Sequence, residues 1–106
     1  MARGEIWWIR FDPSMGGEIR KTRPAIIISN DLSNKYLNRL QVVPLTSKVD
    51  SVYPSEVLVT VDGKQVKALA DQLTTVSKLR LTNRIGKLSE ADLRGVESIV
   101  RRQLAL

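Results

Sequence analysis

Only one stretch of this chain keeps a helical period over several turns, the C-terminal "SEADLRGVESIVRRQLAL", and everything before it is cut into short β-rich pieces by Gly, Pro, Asn and Asp. In that tail Leu93, Val96, Ile99, Val100 and Leu104 recur at the spacing of one helix face. Ser89 stands as an N-cap with Asp92 in the capping-box position, and Glu90 and Asp92 lie at the positive end of the helix dipole. Arg101 and Arg102 suit the opposite end. Gly95 weakens the helix by about 1 kcal/mol relative to alanine. One terminal helix behind many short strands implies a small, strongly bent antiparallel sheet or barrel with the helix packed on it.

Six strands are expected. "EIWWIRF" (5–11) alternates Ile6, Trp8 and Arg10 with Trp7, Ile9 and Phe11, which is strand periodicity. "DPSMGGEIRKTR" (12–23) carries Asp-Pro and Gly-Gly and is read as a long, mobile loop. "PAIIIS" (24–29) is apolar on both faces, hence central, with Pro24 at its first position where no ladder hydrogen bond is lost. "NDLSNKYLN" (30–38) is a turn or a short helix. "LQVVPLT" (40–46) is the third strand; Pro44 inside it is expected to force an edge or a bulge, and Thr46 lies where pairing ends. "YPSEVLVTV" (53–61) and "QVKALADQL" (65–73) make a hairpin about "DGK". "TTVSKLRL" (74–81) is a short helical turn at best, and "NRIGKL" (83–88) is the sixth strand.

At 106 residues the chain suits one compact domain over 1–106, and its 42% apolar and 26% charged fractions are those of a folded protein. No apolar run is long enough for a membrane span, and the N-terminus lacks the order of a signal peptide, so a cytoplasmic protein is expected. Cysteine and histidine are both absent, which removes disulfides, thiolate metal sites and the commonest zinc ligand. The eleven acidic residues are scattered along the chain, whereas a two-metal nuclease gathers carboxylates on its ions. Neither a metal nor another cofactor is expected. A net charge of +6 and a pI near 10.1 point to a polyanionic or acidic partner; charge serving solubility alone fits the same count.

Five blocks, "RGEIWWIRFDP", "GGEIRKTRPAIIISND", "VVPLTS", "YPSEV" and "LADQL", occur in this order along nearly the whole chain. Together they resemble the MazF/PemK/Kid family of endoribonuclease toxins from bacterial toxin-antitoxin pairs. The resemblance implies an SH3-like barrel of about six antiparallel strands with a C-terminal helix, a homodimer, and metal-independent cleavage of single-stranded messenger RNA at a short sequence. It also implies a cognate antitoxin whose acidic, disordered C-terminal tail blocks the RNA groove. Position by position, it places the catalytic pair on Arg23 and Thr46, with Glu18 and Asp71 in support. Arg20, Lys21, Ser47 and Gln72 fall where RNA is held. Some relatives use an arginine where this chain has Leu69, and others a loop histidine, which this chain lacks; both differences move the burden onto Arg23 and Thr46.

The chemistry fits those residue types. RNA is cut without a metal when its own 2′-hydroxyl attacks the adjacent phosphorus, leaving a 2′,3′-cyclic phosphate and a 5′-hydroxyl. An arginine fork matches two phosphate oxygens, and a threonine hydroxyl beside it can donate to a non-bridging oxygen. An arginine side chain is protonated near neutral pH, so the base stays open among Arg23, Asp71 and Glu18. Trp7 and Trp8 are read as core and dimer packing ahead of base stacking, because they sit inside a strand. Two other classes remain: a non-enzymatic toxin of the gyrase-poison type, disfavoured because "RRQLAL" ends without an aromatic, and a catalytically silent nucleic-acid-binding barrel.

Overall fold

The computed structural model describes residues 1–11 and 21–106, with Lys21 described in its backbone only. Seven strands and two helices follow in the order β1 (Glu5–Phe11), β2 (Lys21–Ile27), α1 (Asp31–Tyr36), β3 (Arg39–Thr46), β4 (Glu56–Val61), β5 (Lys64–Leu69), β6 (Thr74–Ser77), β7 (Leu81–Lys87) and α2 (Glu90–Leu104). Single 3₁₀ turns, Ala70–Gln72 and Lys78–Arg80, flank β6. Every strand pair is antiparallel, in the order β4-β5-β3-β2-β1-β7 with β6 also on β3. The fold is mainly β, barrel-like, with a terminal helix; among the described residues no β4–β7 ladder closes the path. Among them, too, no helix is long and apolar enough to cross a membrane.

The sequence reading is revised at β2 and at 74–77. β2 begins at Lys21, ahead of Pro24, because β1 supplies partners back to Phe11↔Lys21; the rest of the expected loop, 12–20, lies outside the described residues. Pro24 is therefore inside the strand, one residue before pairing with β3 starts at Ala25. The segment 74–77 is a strand, and it makes the count seven: Thr74 to Ser77 pair with Val42 to Arg39, and Val76 is buried by that pairing. Tertiary pairing overrides the weak local signal there.

Pro44 produces neither an edge nor a bulge. It is fully buried, and the β2–β3 register runs unbroken through Ala25↔Pro44, Ile26↔Val43 and Ile27↔Val42. On its other side β3 changes partner. β5 pairs with Leu45 and Thr46, β6 pairs with Arg39 to Val42, and the turn Ala70–Gln72 lies between them. The ladder on that side is interrupted beside the one residue that has no N–H to give it.

Two apolar clusters occupy opposite faces of the sheet. The first joins Ile6, Ile26, Val43, Leu45, Val59 and Ala68 to Leu93, Val96 and Ile99 of α2. The second joins Ile9, Ala25, Ile27, Leu40, Val42, Val76 and Leu81, with Trp7 and Phe11 against it. Strand alternation sends neighbouring residues of β1 and β2 to different clusters. Trp8, 41% exposed, is not a core residue; it lies between Pro24 and Asn83 in the register. In α2, Ser89 Oγ accepts from Asp92 N at 3.1 Å, as a cap should. The return half of the capping box is replaced, since Asp92 Oδ2 accepts from Thr60 N at 2.9 Å and ties the helix start to β4.

Candidate functional site

The β2–β3 pairing ends at Ala25↔Pro44, and Arg23 and Thr46 each lie two residues beyond that pair, in the same phase. Arg23 faces Ile9 on β1, Thr46 faces Lys67 on β5, and Lys67 faces Leu58 on β4. Ile9 and Arg23 thus form one cross-strand row, and Thr46, Lys67 and Leu58 another, on the two sides of the last β2–β3 pair. Opposed residues share a face of the sheet, as do residues two apart on one strand, so Arg23, Thr46 and Lys67 point to the same side. That side is the face of the second cluster, because Arg23 is in phase with Ala25 and Ile27, and Thr46 with Val42. Arg23 and Thr46 are half-buried at the end of the cluster, and Lys67 is 8% exposed.

Local chemistry fixes both members of the pair. Pro24 restricts the backbone next to Arg23, and Ala25, Ile26 and Ile27 behind it are wholly buried, so the arginine is carried on a rigid strand. Thr46 ends β3, and its Oγ1 accepts from Lys48 N at 3.3 Å, a side-chain turn that stops the strand. That bond uses the hydroxyl as an acceptor and leaves its own hydrogen available to donate. Ser47, the first residue of the bend, is exposed.

Lys67 was absent from the sequence reading. Its ammonium donates to Ser51 O at 2.7 Å, pairs with Glu56 Oε1 at 2.9 Å and lies 5.9 Å from the centre of the Tyr53 ring. Burial works to raise the Glu56 carboxyl, but the hydrogen bond from Tyr53 N and the Lys67 ammonium outweigh it and hold the group below its ordinary value. The two-residue turn at Asp62 and Gly63, with φ of 54° and 79°, fixes the hairpin register and so opposes Lys67 to Leu58. A lysine between Val66 and Ala68, in the phase of Leu69, was the available signal.

Asp71 and Gln72 sit on the turn Ala70–Gln72, which contacts β3 and α2 and is tied to the β3–β4 connection by Ala70 N to Ser55 O at 3.0 Å. Asp71 is exposed and Gln72 half-buried. Both lie along β3 from Thr46, beside the Val43–Pro44 gap. Glu18 and Arg20 lie outside the described residues, and Lys21 is seen only as the backbone partner of Phe11. Among the described residues no three His, Cys, Asp or Glu side chains gather.

Known proteins bear on this geometry. Residues 2–104 match the family of the PemK-like, MazF-like toxins of type II toxin-antitoxin systems. Endoribonuclease MazF9 of Mycobacterium tuberculosis is 40% identical over 115 residues, covering 100% of this chain and 98% of that protein. Endoribonuclease EndoA of Bacillus subtilis is 27% identical over 111 residues, covering 98% of this chain and 94% of its own. The crystal structure of MazF from Deinococcus radiodurans superposes with a TM-score of 0.88 at 25% identity, over 100% of this chain and 97% of that one. A MazE-MazF crystal structure from the same organism gives 0.78 at 25% identity, with the same coverage. With the match running almost from end to end, the chain belongs to the PemK-like, MazF-like toxin family of type II toxin-antitoxin systems.

Proposed function

We propose that the chain is an endoribonuclease toxin that cuts single-stranded messenger RNA in the cytoplasm, with Arg23 and Thr46 as its catalytic residues. The observation that supports the assignment is the shared face of these two side chains, two residues beyond the last β2–β3 pair, in a chain that is 40% identical to a named endoribonuclease. The 2′-oxygen of the substrate bonds to the adjacent phosphorus as the bond from phosphorus to the 5′-oxygen breaks. The 2′-hydroxyl proton passes to a base and a proton is delivered to the departing 5′-oxygen, leaving cyclic-phosphate and hydroxyl ends. Arg23 holds two non-bridging oxygens and neutralises the charge that grows on them, and the Thr46 hydroxyl donates to one of them. Both residues are carried on paired strand backbone before substrate arrives, which limits the reorganisation the step needs.

Asp71 and Glu18 are the supporting carboxylates in this scheme, and the base is one of Arg23, Asp71 and Glu18. Arg20, Lys21, Ser47 and Gln72 hold the RNA backbone and bases. A homodimer and an antitoxin with an acidic tail are the expected partners, in line with the family and with the MazE-MazF structure. The decisive experiment incubates the purified protein, in excess chelator, with mixed-sequence single-stranded RNA and with the matching DNA. Cyclic-phosphate ends on RNA fragments and intact DNA are expected. Failure to cut RNA over a wide range of sequences would remove the reading.

A further inference from the structure

We infer that Tyr53, held in place by Lys67, is a base-stacking residue of the RNA groove, an inference that rests on the endoribonuclease reading above. The connection from β3 to β4 leaves directly from Thr46 and carries three exposed apolar side chains, Val49, Val52 and Tyr53, of which Tyr53 is 63% exposed. An aromatic ring so placed in a loop would ordinarily sample many positions. Here its backbone is tied at both ends: Tyr53 N donates to Glu56 Oε1 at 3.0 Å, and Tyr53 O accepts from Glu56 N at 2.9 Å. The ring is placed by the ammonium of Lys67, 5.9 Å from its centre.

Lys67 is itself nearly immobile. It is 8% exposed, and Ser51 O and Glu56 hold its charge. It is also the cross-strand partner of Thr46. The chain of contacts therefore runs from Thr46, through one buried lysine, to an exposed ring on a fixed backbone. Such a ring costs little entropy to engage and accepts any base on its open surface. Lys67 acts through it as a positioning residue, and its own donors are already taken by the loop. A ring meant only for packing would be covered, and a ring meant only for solubility would not be pinned at three points.

The test compares kcat and KM of the full chain on an oligoribonucleotide for Y53F, Y53L, K67M and the double variant Y53L/K67M, with thermal melting as a control. Stacking predicts that Y53L raises KM by about 5- to 100-fold while kcat changes little, and that Y53F stays near wild type. K67M should raise KM less than Y53L, and should add nothing in the Y53L background, because both act through the same ring. Should K67M fail to fold when Glu56 loses its partner, K67M/E56Q carries the same arm without an unpaired charge. A wild-type KM in Y53L, or a loss in Y53F equal to that in Y53L, overturns the inference while leaving the cleavage reading intact. Absence of RNA cleavage by the wild-type protein overturns both.

Discussion

The face of the sheet beneath α2 and the face that carries Arg23 and Thr46 are made from the same strands, yet they end differently. Under the helix, Ile6, Ile26, Val43, Leu45 and Val59 meet Leu93, Val96 and Ile99 with no charged side chain among them. On the other face an equally apolar cluster stops where Arg23, Thr46 and Lys67 take over. A strand with two buried faces can do both, because its alternate residues answer to different neighbours. Both faces thereby supply cohesion, and the second ends in the side chains proposed for catalysis. Substitutions should separate them.

The largest effect expected is that of Arg23→Ala, about a 10³-fold fall in kcat, the size seen when one preorganised oxyanion donor is lost. Its melting temperature should stay close to wild type, because the guanidinium sits at the end of the cluster. If melting fell as far as it does for a core truncation, the division between the faces would be broken. Ile99→Ala is that truncation: it removes a side chain 6% exposed and should destabilise by about 2–3 kcal/mol, read by denaturant unfolding. Cleavage per folded molecule should not change.

Gly95→Ala sharpens the comparison from the opposite direction. A Cβ built at Gly95 lies 3.6 Å from Val57 Cγ2, an ordinary contact, so the helix should gain about 0.5–1 kcal/mol with activity untouched. The smallest effect is on the acid limb of stability. Burial would raise the Glu5 carboxyl, but hydrogen bonds from the Trp7 indole and Ala2 N, with the N-terminal ammonium and Arg84, hold it below its ordinary 4.5. The folded value is below the unfolded one, so this contribution is complete above about pH 4.5 and is lost as pH falls through the folded value. Glu5→Gln should flatten that part of the stability profile and leave the neutral-pH rate alone.

Much of this was legible in the sequence, for identifiable reasons. The first strand, the Asp62-Gly63 hairpin and the terminal helix announce themselves through period and turn chemistry, which are local. So does the threonine at the end of β3. β6 was not legible: "TTVS" has weak local character, and only the edge of β3 between Arg39 and Val42 makes it a strand. Pro44 misled for a related reason, since a proline in a strand suggests an edge unless the partner itself steps aside. Lys67 and Tyr53 were passed over because each looks ordinary alone; their relation depends on the fold of 47–55 over β5. Trp7 and Trp8 are read together as core and dimer packing because both sit inside a strand; Trp7 packs on the second cluster, whereas Trp8 is 41% exposed on the single chain.

The hand-over at Pro44 has a consequence for length variation. Between the pairs Leu45↔Ala68 and Val42↔Thr74, β3 advances three residues and its partner six. The surplus is stored in the turn 70–73, so the two ladders on that edge are phased independently of each other. An insertion there is governed by parity. Two residues would return β6 with Val76 still inward, whereas one would turn its faces over and expel Val76, all without disturbing the Thr46↔Lys67 pair. The sheet is in this sense a two-part clockwork: one part sets the Thr46↔Lys67 pair, and the other can drift in length around it.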